Sequence, residues 1–208
     1  NGKEEGLENS VLIGHYKDSL LYSVCNFRPH RSHRIAILKP DGDIITRYSV
    51  LPEVSSIDKE DSIIYRRLFY CYKTISTLKP DASKIALATT CGLHMEIFSI
   101  SDNEIKLEEF RRYIKPKYLK VNPIRNDGVI EGVTSLSSTN NYIYALWSKD
   151  TQKEFPTQLA VFDWKGNAIR RYDLNSKIRA FAVDEDDSKV YTVIKDNEGR
   201  LNIVTFKI

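Results

Sequence analysis

At 208 residues and 41% hydrophobic content the chain can bury a sizeable core as one or two domains, and its 31 basic and 28 acidic residues leave a net charge of only +3. The charges are mixed along the chain without a lysine or arginine block, so composition implies no nucleic-acid partner. The longest apolar stretches are strand-length, far short of the roughly 20 residues a membrane helix requires, so no transmembrane segment is expected.

Twelve Tyr, eight Phe and many Ile and Val favour strands, because branched and aromatic side chains suit a pleated surface. In chain order, the opening Asn1-Gly-Lys-Glu-Glu-Gly6 has no apolar signal core, which says nothing of export because a signal can be removed. Strands are expected at residues 11–17, 19–26, 34–39 and 43–51, the last pair joined at Asp41-Gly42, where glycine accepts the positive φ of a tight hairpin. Residues 52–67 are polar and acidic and read as a long connection with room for a helical turn. A second group follows at 72–78, 84–90, 95–100 and 105–113, punctuated by Pro80-Asp81 and Ser101-Asp102-Asn103, and then an irregular connector, 115–127, with two prolines. The third group is 128–135, 142–148, 159–163 and 168–174, with turns at Asn140-Asn141 and Lys165-Gly166-Asn167 and an insertion at 149–157. The fourth is 178–183, 189–195 and 201–208, one strand short.

One phrase recurs: an apolar strand, a tight polar turn, then a strand ending in Tyr and an aliphatic residue. It reads Ile35-Ala-Ile-Leu-Lys-Pro-Asp-Gly-Asp-Ile-Ile-Thr-Arg-Tyr-Ser-Val50 and again Leu159-Ala-Val-Phe-Asp-Trp-Lys-Gly-Asn-Ala-Ile-Arg-Arg-Tyr-Asp-Leu174, with a looser copy from Met95 to Tyr113. Self-similarity at this period announces a repeat architecture. Successive four-stranded antiparallel units point to an all-β fold, a β-propeller, and packing unit on unit explains strands as apolar throughout as Lys84-Ile-Ala-Leu-Ala-Thr89. The expectation is one propeller domain over 1–208, with blades at about 10–51, 68–114, 128–174 and 177–208. Residues 1–10, with three Glu, two Gly and two Asn, make a poor closing strand. Either a four-bladed ring is left unsealed or these blades are the C-terminal part of a larger ring, and the second is favoured. If residues 1–208 were the whole molecule, bare faces and edges would predict self-association.

The residues resemble a known family. Asp163-Trp-Lys-Gly-Asn167 with Tyr172-Asp-Leu174, Val183-Asp-Glu185 with Val190-Tyr191, Leu78-Lys-Pro-Asp-Ala-Ser-Lys-Ile-Ala86 with Leu93-His-Met-Glu-Ile-Phe-Ser99, and Tyr142-Ile-Tyr-Ala-Leu-Trp147 are similar to the TolB-like six-bladed propeller proteins of Bacteroides and relatives. The resemblance covers residues 70–208 well and 10–51 as a generic blade. It implies a six-bladed ring, export with a lipoprotein-type signal, and residence in the periplasm or on the outer surface. It carries no catalytic motif.

Arg28-Pro-His-Arg-Ser-His-Arg34 places His30 and His33 three apart, but a zinc site needs about three or four converging ligands and the neighbours are only Cys25, Asp18 and Asp41. The cluster reads first as a solvated basic tip; as a binding element, Arg28, Arg31 and Arg34 would grip a carboxylate, sulfate or phosphate. Asp184-Glu-Asp-Asp187 lacks the spacing of a calcium loop and reads as a solvated turn, and Asp163 reads as a turn cap. Trp147 and Trp164 read mainly as packing residues, with Trp147, before the 149–157 insertion, the better candidate for stacking on a ligand. Three scattered cysteines, Cys25, Cys71 and Cys91, make no disulfide framework and read as small buried hydrophobes. No hydrolase elbow, phosphate loop or dinucleotide fingerprint is present, and no cofactor or metal is expected. The residues favour a non-catalytic binding or interaction protein using the end faces of a propeller, holding a protein, peptide or glycan. The alternative is a carbohydrate-active hydrolase or lyase with its site at the propeller axis, assembled from dispersed residues.

Overall fold

Runs of branched and aromatic residues broken by Pro, Asp, Asn and Gly form fifteen strands among the described residues. They are β1 (Ser10–Tyr16), β2 (Ser19–Val24), β3 (Ile35–Leu38), β4 (Ile44–Tyr48), β5 (Thr74–Leu78), β6 (Lys84–Thr89), β7 (Leu93–Ser101), β8 (Glu104–Ile114), β9 (Val133–Ser138), β10 (Tyr142–Trp147), β11 (Gln158–Asp163), β12 (Ala168–Asp173), β13 (Ile178–Val183), β14 (Lys189–Lys195) and β15 (Leu201–Lys207). The computed structural model describes residues 10–24, 34–48, 73–101, 104–114, 132–147, 158–174, 176 and 178–208. The strands pair in order into antiparallel sheets, β1–β4, β5–β8 and β9–β12 with four strands each and β13–β15 with three. The first strands β1, β5, β9 and β13 touch one another in succession, so the sheets fan out from a shared inner edge. This is the propeller arrangement expected from the repeat.

The repeated phrase folds as a hairpin with one recurring turn. In Lys39–Gly42, Lys79–Ala82, Asp163–Gly166, Asp184–Asp187 and Asp196–Gly199 the fourth residue donates its N–H to the first carbonyl, over 2.8–3.2 Å. That fourth residue always has positive φ: Gly42 90°, Ala82 57°, Gly166 74°, Asp187 59° and Gly199 87°. Glycine carries this at no steric cost, whereas Ala82 and Asp187 hold it as L-residues. An aspartate completes each turn by accepting backbone N–H groups. Asp163 Oδ1 takes those of Lys165 and Asn167 at 2.8 Å, and Asp184 Oδ1 those of Ser188 and Lys189 at 2.8 Å. Asp81 accepts from Ser83 N at 2.9 Å and from Lys79 Nζ at 2.6 Å.

Between consecutive sheets lie three apolar layers. Ile35 and Ile37 of the first sheet meet Ile85, Leu87, Phe98 and Ile100 of the second. Ala86, Ala88, Met95 and Ile97, on the opposite face of that sheet, meet Val133, Ile143 and Phe162 of the third. Tyr144, Leu146, Leu159 and Val161 then meet Ile178 and Val190 of the last. Because successive strand residues point to opposite faces, β6 and β7 bury side chains on both faces, Ile85, Leu87, Phe98 and Ile100 toward one layer and Ala86, Ala88, Met95 and Ile97 toward the other.

One strand sits later than its sequence suggests. A strand was expected at 128–135, but β9 runs Val133–Ser138. Its sequence, VTSLSS, carries little apolar signal because it is an inner strand against β5. There Ser138 Oγ donates to the Leu78 carbonyl at 2.9 Å and accepts from Thr77 Oγ1 at 2.9 Å, so hydroxyls replace aliphatic contacts. The expected connections 52–67, 115–127 and 149–157 lie outside the described residues, as do Cys25 and Cys71. No helix among the described residues is long and apolar enough to cross a membrane.

Two outcomes follow. Phe98→Ala, at a fully buried position between the first two sheets, should lower stability by about 3–5 kcal/mol, whereas Ile169→Ala on the exposed outer strand should stay within about 0.5 kcal/mol; urea denaturation checks both. The second concerns acid. Partial burial pushes the Asp81 carboxyl up, but hydrogen bonds from Lys79 and Ser83 prevail and hold it at about 2. A depressed carboxyl stabilises the fold above its ordinary value and stops doing so as pH falls through the folded one. The stability advantage of the wild type over Asp81→Asn should therefore shrink between pH 3.8 and about 2, read as melting temperature against pH.

Candidate binding face

Strand alternation sorts the connections onto two ends. Links between first and second strands and between third and fourth strands share one end; among the described residues these are the tight turns at 17–18, 39–43, 79–83, 139–141, 163–167 and 184–188. At the other end, among the described residues, stand the β6–β7 link at 90–92 and the β14–β15 turn at 196–200; the connections 25–33, 49–72, 115–131 and 148–157 lie outside the described residues. Long connections leave from the side where Arg34, Tyr48, Thr89–Leu93, Gly132 and Trp147 stand.

The most polar buried feature lies between the first two sheets, toward that end. Arg34, just before β3, is 4% exposed, and its Nη1 donates to Glu96 Oε2 of β7, which is 1% exposed. Burial pushes the Glu96 carboxyl above its ordinary range, with Arg34 pulling the other way. The Arg34 N–H donates to the Tyr48 carbonyl at 2.7 Å, and the Tyr48 ring meets Phe98 edge-on at 4.9 Å. Burial raises the Tyr48 hydroxyl, the Glu96 charge adds to that, and Arg34 opposes it. His94 lies on the same face of β7 as Glu96, 1% exposed, its backbone N–H bonded to Thr89 Oγ1 at 3.0 Å and its ring edge-on to Phe110 at 5.7 Å. The Arg112 guanidinium stands 5.8 Å over that Phe110 ring.

Neighbouring backbones close tightly on this end. Thr90 N donates to Lys73 O and Gly132 N to Thr90 O, each at 2.8 Å, tying β5 and β9 to the β6–β7 turn. A Cβ on Gly132 would lie 2.4 Å from the carbonyl oxygens of both Gly92 and Thr89, so only glycine fits. Farther round, Tyr144 donates to Asp187 Oδ1 at 2.8 Å and Asn141 Nδ2 to Asp187 Oδ2 at 2.9 Å, linking the third sheet to the last at the short-turn end. Tyr113 donates to the Gly166 carbonyl, and burial, with Asp163 adding and Arg111 opposing, pushes its hydroxyl up to about 12.

The sequence candidates separate. Arg28, His30, Arg31 and His33 lie outside the described residues. Arg34 does not belong to a solvated tip: it is buried and spends a guanidinium nitrogen on Glu96, a partner 62 residues away that no local spacing reveals. Trp147 ends β10 at 7% exposed, opposite Val133 and Gln158, with little ring left for a ligand. Trp164, also 7% exposed, packs in the second layer and donates Nε1 to Thr139 O at 3.1 Å. The acidic run is only partly a solvated turn, since Asp187 reaches across to Tyr144. Cys91, between β6 and β7, is half-buried. Sequence reasoning missed Glu96 and His94, although a signal was there: in Leu93-His-Met-Glu-Ile-Phe-Ser-Ile100, His94 and Glu96 share the period-two face of Phe98 and Ile100. Among the described residues no three metal-ligating side chains gather.

Removing one member of a buried pair leaves the other charge without its partner. Arg34→Met should cost about 3–5 kcal/mol at neutral pH, and Arg34→Met with Glu96→Leu should recover most of it. A chemical-denaturation cycle over wild type, both single variants and the double variant reads the coupling.

No curated protein matches the chain. The β-propeller domain of Cps50 (Swd1) from Myceliophteria thermophila is 12% identical over 93% of this chain and 52% of that one, with a TM-score of 0.56. A candidate 6-phosphogluconolactonase from Bacteroides uniformis (13% identity, TM-score 0.50) and one from Bacteroides fragilis (12%, 0.51) are each matched over 96% of this chain and over 54% and 55% of their own. At such identities the likeness concerns the fold, and the chain spans about half the length of these structures. A family model described as TolB-like 6-blade propeller-like matches residues 24–186, most of the chain. The chain belongs to the TolB-like six-bladed propeller family.

Proposed function

We propose that the chain is a non-catalytic interaction scaffold that holds a protein, peptide or glycan at the end from which its long connections leave. One observation carries this reading: most of the described carboxylates are engaged in building the fold. Asp81, Asp163, Asp184 and Asp196 cap turns. Glu96 pairs with Arg34, Glu108 with Lys84 and Glu109 with Arg111. Asp173 accepts from Gln158 and Asp187 from Tyr144. Catalysis by general acid and base instead requires two such groups converging on one open position. Membership in the family supports the further reading that the protein is exported, to the periplasm or the outer surface as a lipoprotein. A hydrolase or lyase acting on carbohydrate at the axis is the competing reading.

One experiment separates them. The purified chain is applied to a glycan array and, in parallel, assayed for hydrolysis of 6-phosphogluconolactone and a panel of aryl glycosides. The scaffold reading expects saturable glycan binding without turnover. That binding should fall about tenfold when residues 148–157 are replaced by an Asn-Gly turn, and should be unchanged when the 139–141 turn at the other end is altered. Turnover that co-purifies with the chain and saturates with substrate would replace it with the enzyme reading.

A further inference from the structure

The three layers between the sheets do not finish alike at the long-connection end. The second finishes there on Leu93 and Val133 and the third on Leu174 and Ile178, all buried and apolar. The first changes character. On the face of the second sheet turned to the first, the cross-strand pair Phe98↔Leu107 gives way to Glu96↔Phe110 and then to His94↔Arg112. Arg34 reaches this polar band from the first sheet, with Tyr48 beside it. Arg34, Glu96 and His94 are buried, Phe110 is half-buried and Arg112 is exposed.

For stability alone a buried ion pair is a poor device, since apolar residues of the same volume do as well. This one is also incomplete. Arg34 donates through Nη1 to Glu96, but its Nη2 is buried with no hydrogen-bond partner among the described residues. A guanidinium has only donors, so that nitrogen calls for an acceptor oxygen, and a buried cationic N–H without one is costly and rare. An anionic acceptor answers it more strongly than a neutral one, and a single guanidinium balances a single charge, which favours a carboxylate over a phosphate dianion. Glu96 stands beside the same guanidinium, and two buried carboxylates there cannot both stay ionised. Burial makes Glu96 hold its proton to higher pH than a free carboxyl, with Arg34 opposing. The Phe110 ring, alongside, offers apolar surface to the rest of a ligand.

We propose that the polar band between the first two sheets binds a small organic carboxylate, accepted by Arg34 Nη2 with its apolar body against Phe110, and that binding carries one proton from solvent onto Glu96. The charged and titratable groups facing Glu96 are Arg34 ahead of β3, Tyr48 of β4, His94 on β7 itself and Arg112 of β8; β6 brings Leu87, which does not titrate. Both arginines keep their charge, and the Tyr48 hydroxyl, raised by burial, keeps its proton. The proton acceptor is therefore Glu96 or His94, and a Glu96 variant tells them apart. A carboxyl whose folded value is raised loses stabilisation as pH rises through that value, so the fold tolerates the protonated form. This site lies within the first layer and does not depend on the end-face reading above.

The test is isothermal titration calorimetry of the full chain with sodium benzoate, in paired buffers of different ionisation heat. Saturable binding is expected, with uptake of about one proton and affinity that tightens by up to about tenfold per unit as pH falls below neutral. Benzamide has the same shape without the charge and should not bind. Glu96→Gln keeps an acceptor for Arg34 Nη1 and removes the competing charge, so at neutral pH it should bind benzoate about tenfold more tightly than wild type, without proton uptake. Arg34→Met should abolish binding. If that variant folds poorly, the contrast of benzoate with benzamide and the Glu96→Gln variant read the same contact. No saturable binding to wild type, equal binding of benzamide, or tighter binding of inorganic phosphate than of benzoate overturns the proposal. So does proton uptake that persists in Glu96→Gln, which would make His94 the acceptor.

Discussion

Every middle strand of the second and third sheets has to satisfy two neighbours at once. A sheet packed between two others has no solvent face, so alternate residues of one strand enter different apolar layers. In β6, Ile85 and Leu87 go to the layer shared with the first sheet, Ala86 and Ala88 to the layer shared with the third. Large residues on one side and small ones on the other let the sheets approach unequally, and the hydroxyl-rich inner strands β5 and β9 let them converge at the shared edge. A strand shifted by one residue would exchange its two faces and disturb both layers together. The repetition of the hairpin phrase follows, because each hairpin must present its register correctly to two neighbours.

Apolar layers are non-directional, and the polar contacts supply orientation. Arg34 with Glu96 joins the first sheet to the second, Thr77 with Ser138 the second to the third, and Tyr144 with Asp187 the third to the last. Each interface thus carries a hydrogen-bonded link between particular atoms, at different distances from the axis. The Arg34–Glu96 link is the deepest and the most demanding, since both charges leave water and must answer each other there.

Tight turns need aspartates and positive φ, and those requirements occupy the short-turn end with residues whose duty is local. The opposite end carries fewer of them among the described residues, the Asp196–Gly199 turn and Gly92 being its examples. The same division explains why the most conspicuous residues in the sequence, such as Asp163, Trp164 and Asp184, turn out to build hairpins or pack between sheets.

Much of the fold was written locally. Alternation, Pro-Asp and Lys-Gly turns, and the repeated phrase sufficed for fourteen of the fifteen strands to within a few residues and for the short last sheet, because hairpins join neighbours in sequence. β9 was misplaced because an inner strand paired through hydroxyls lacks the apolar pattern that marks its siblings. The pairing of Arg34 with Glu96 and the reach of Asp187 to Tyr144 were settled only in three dimensions, because each joins residues far apart in the chain. Periodicity says which residues share a face. It cannot say which faces meet, since that depends on how sheets from distant stretches of chain stack once all their apolar surfaces compete for cover.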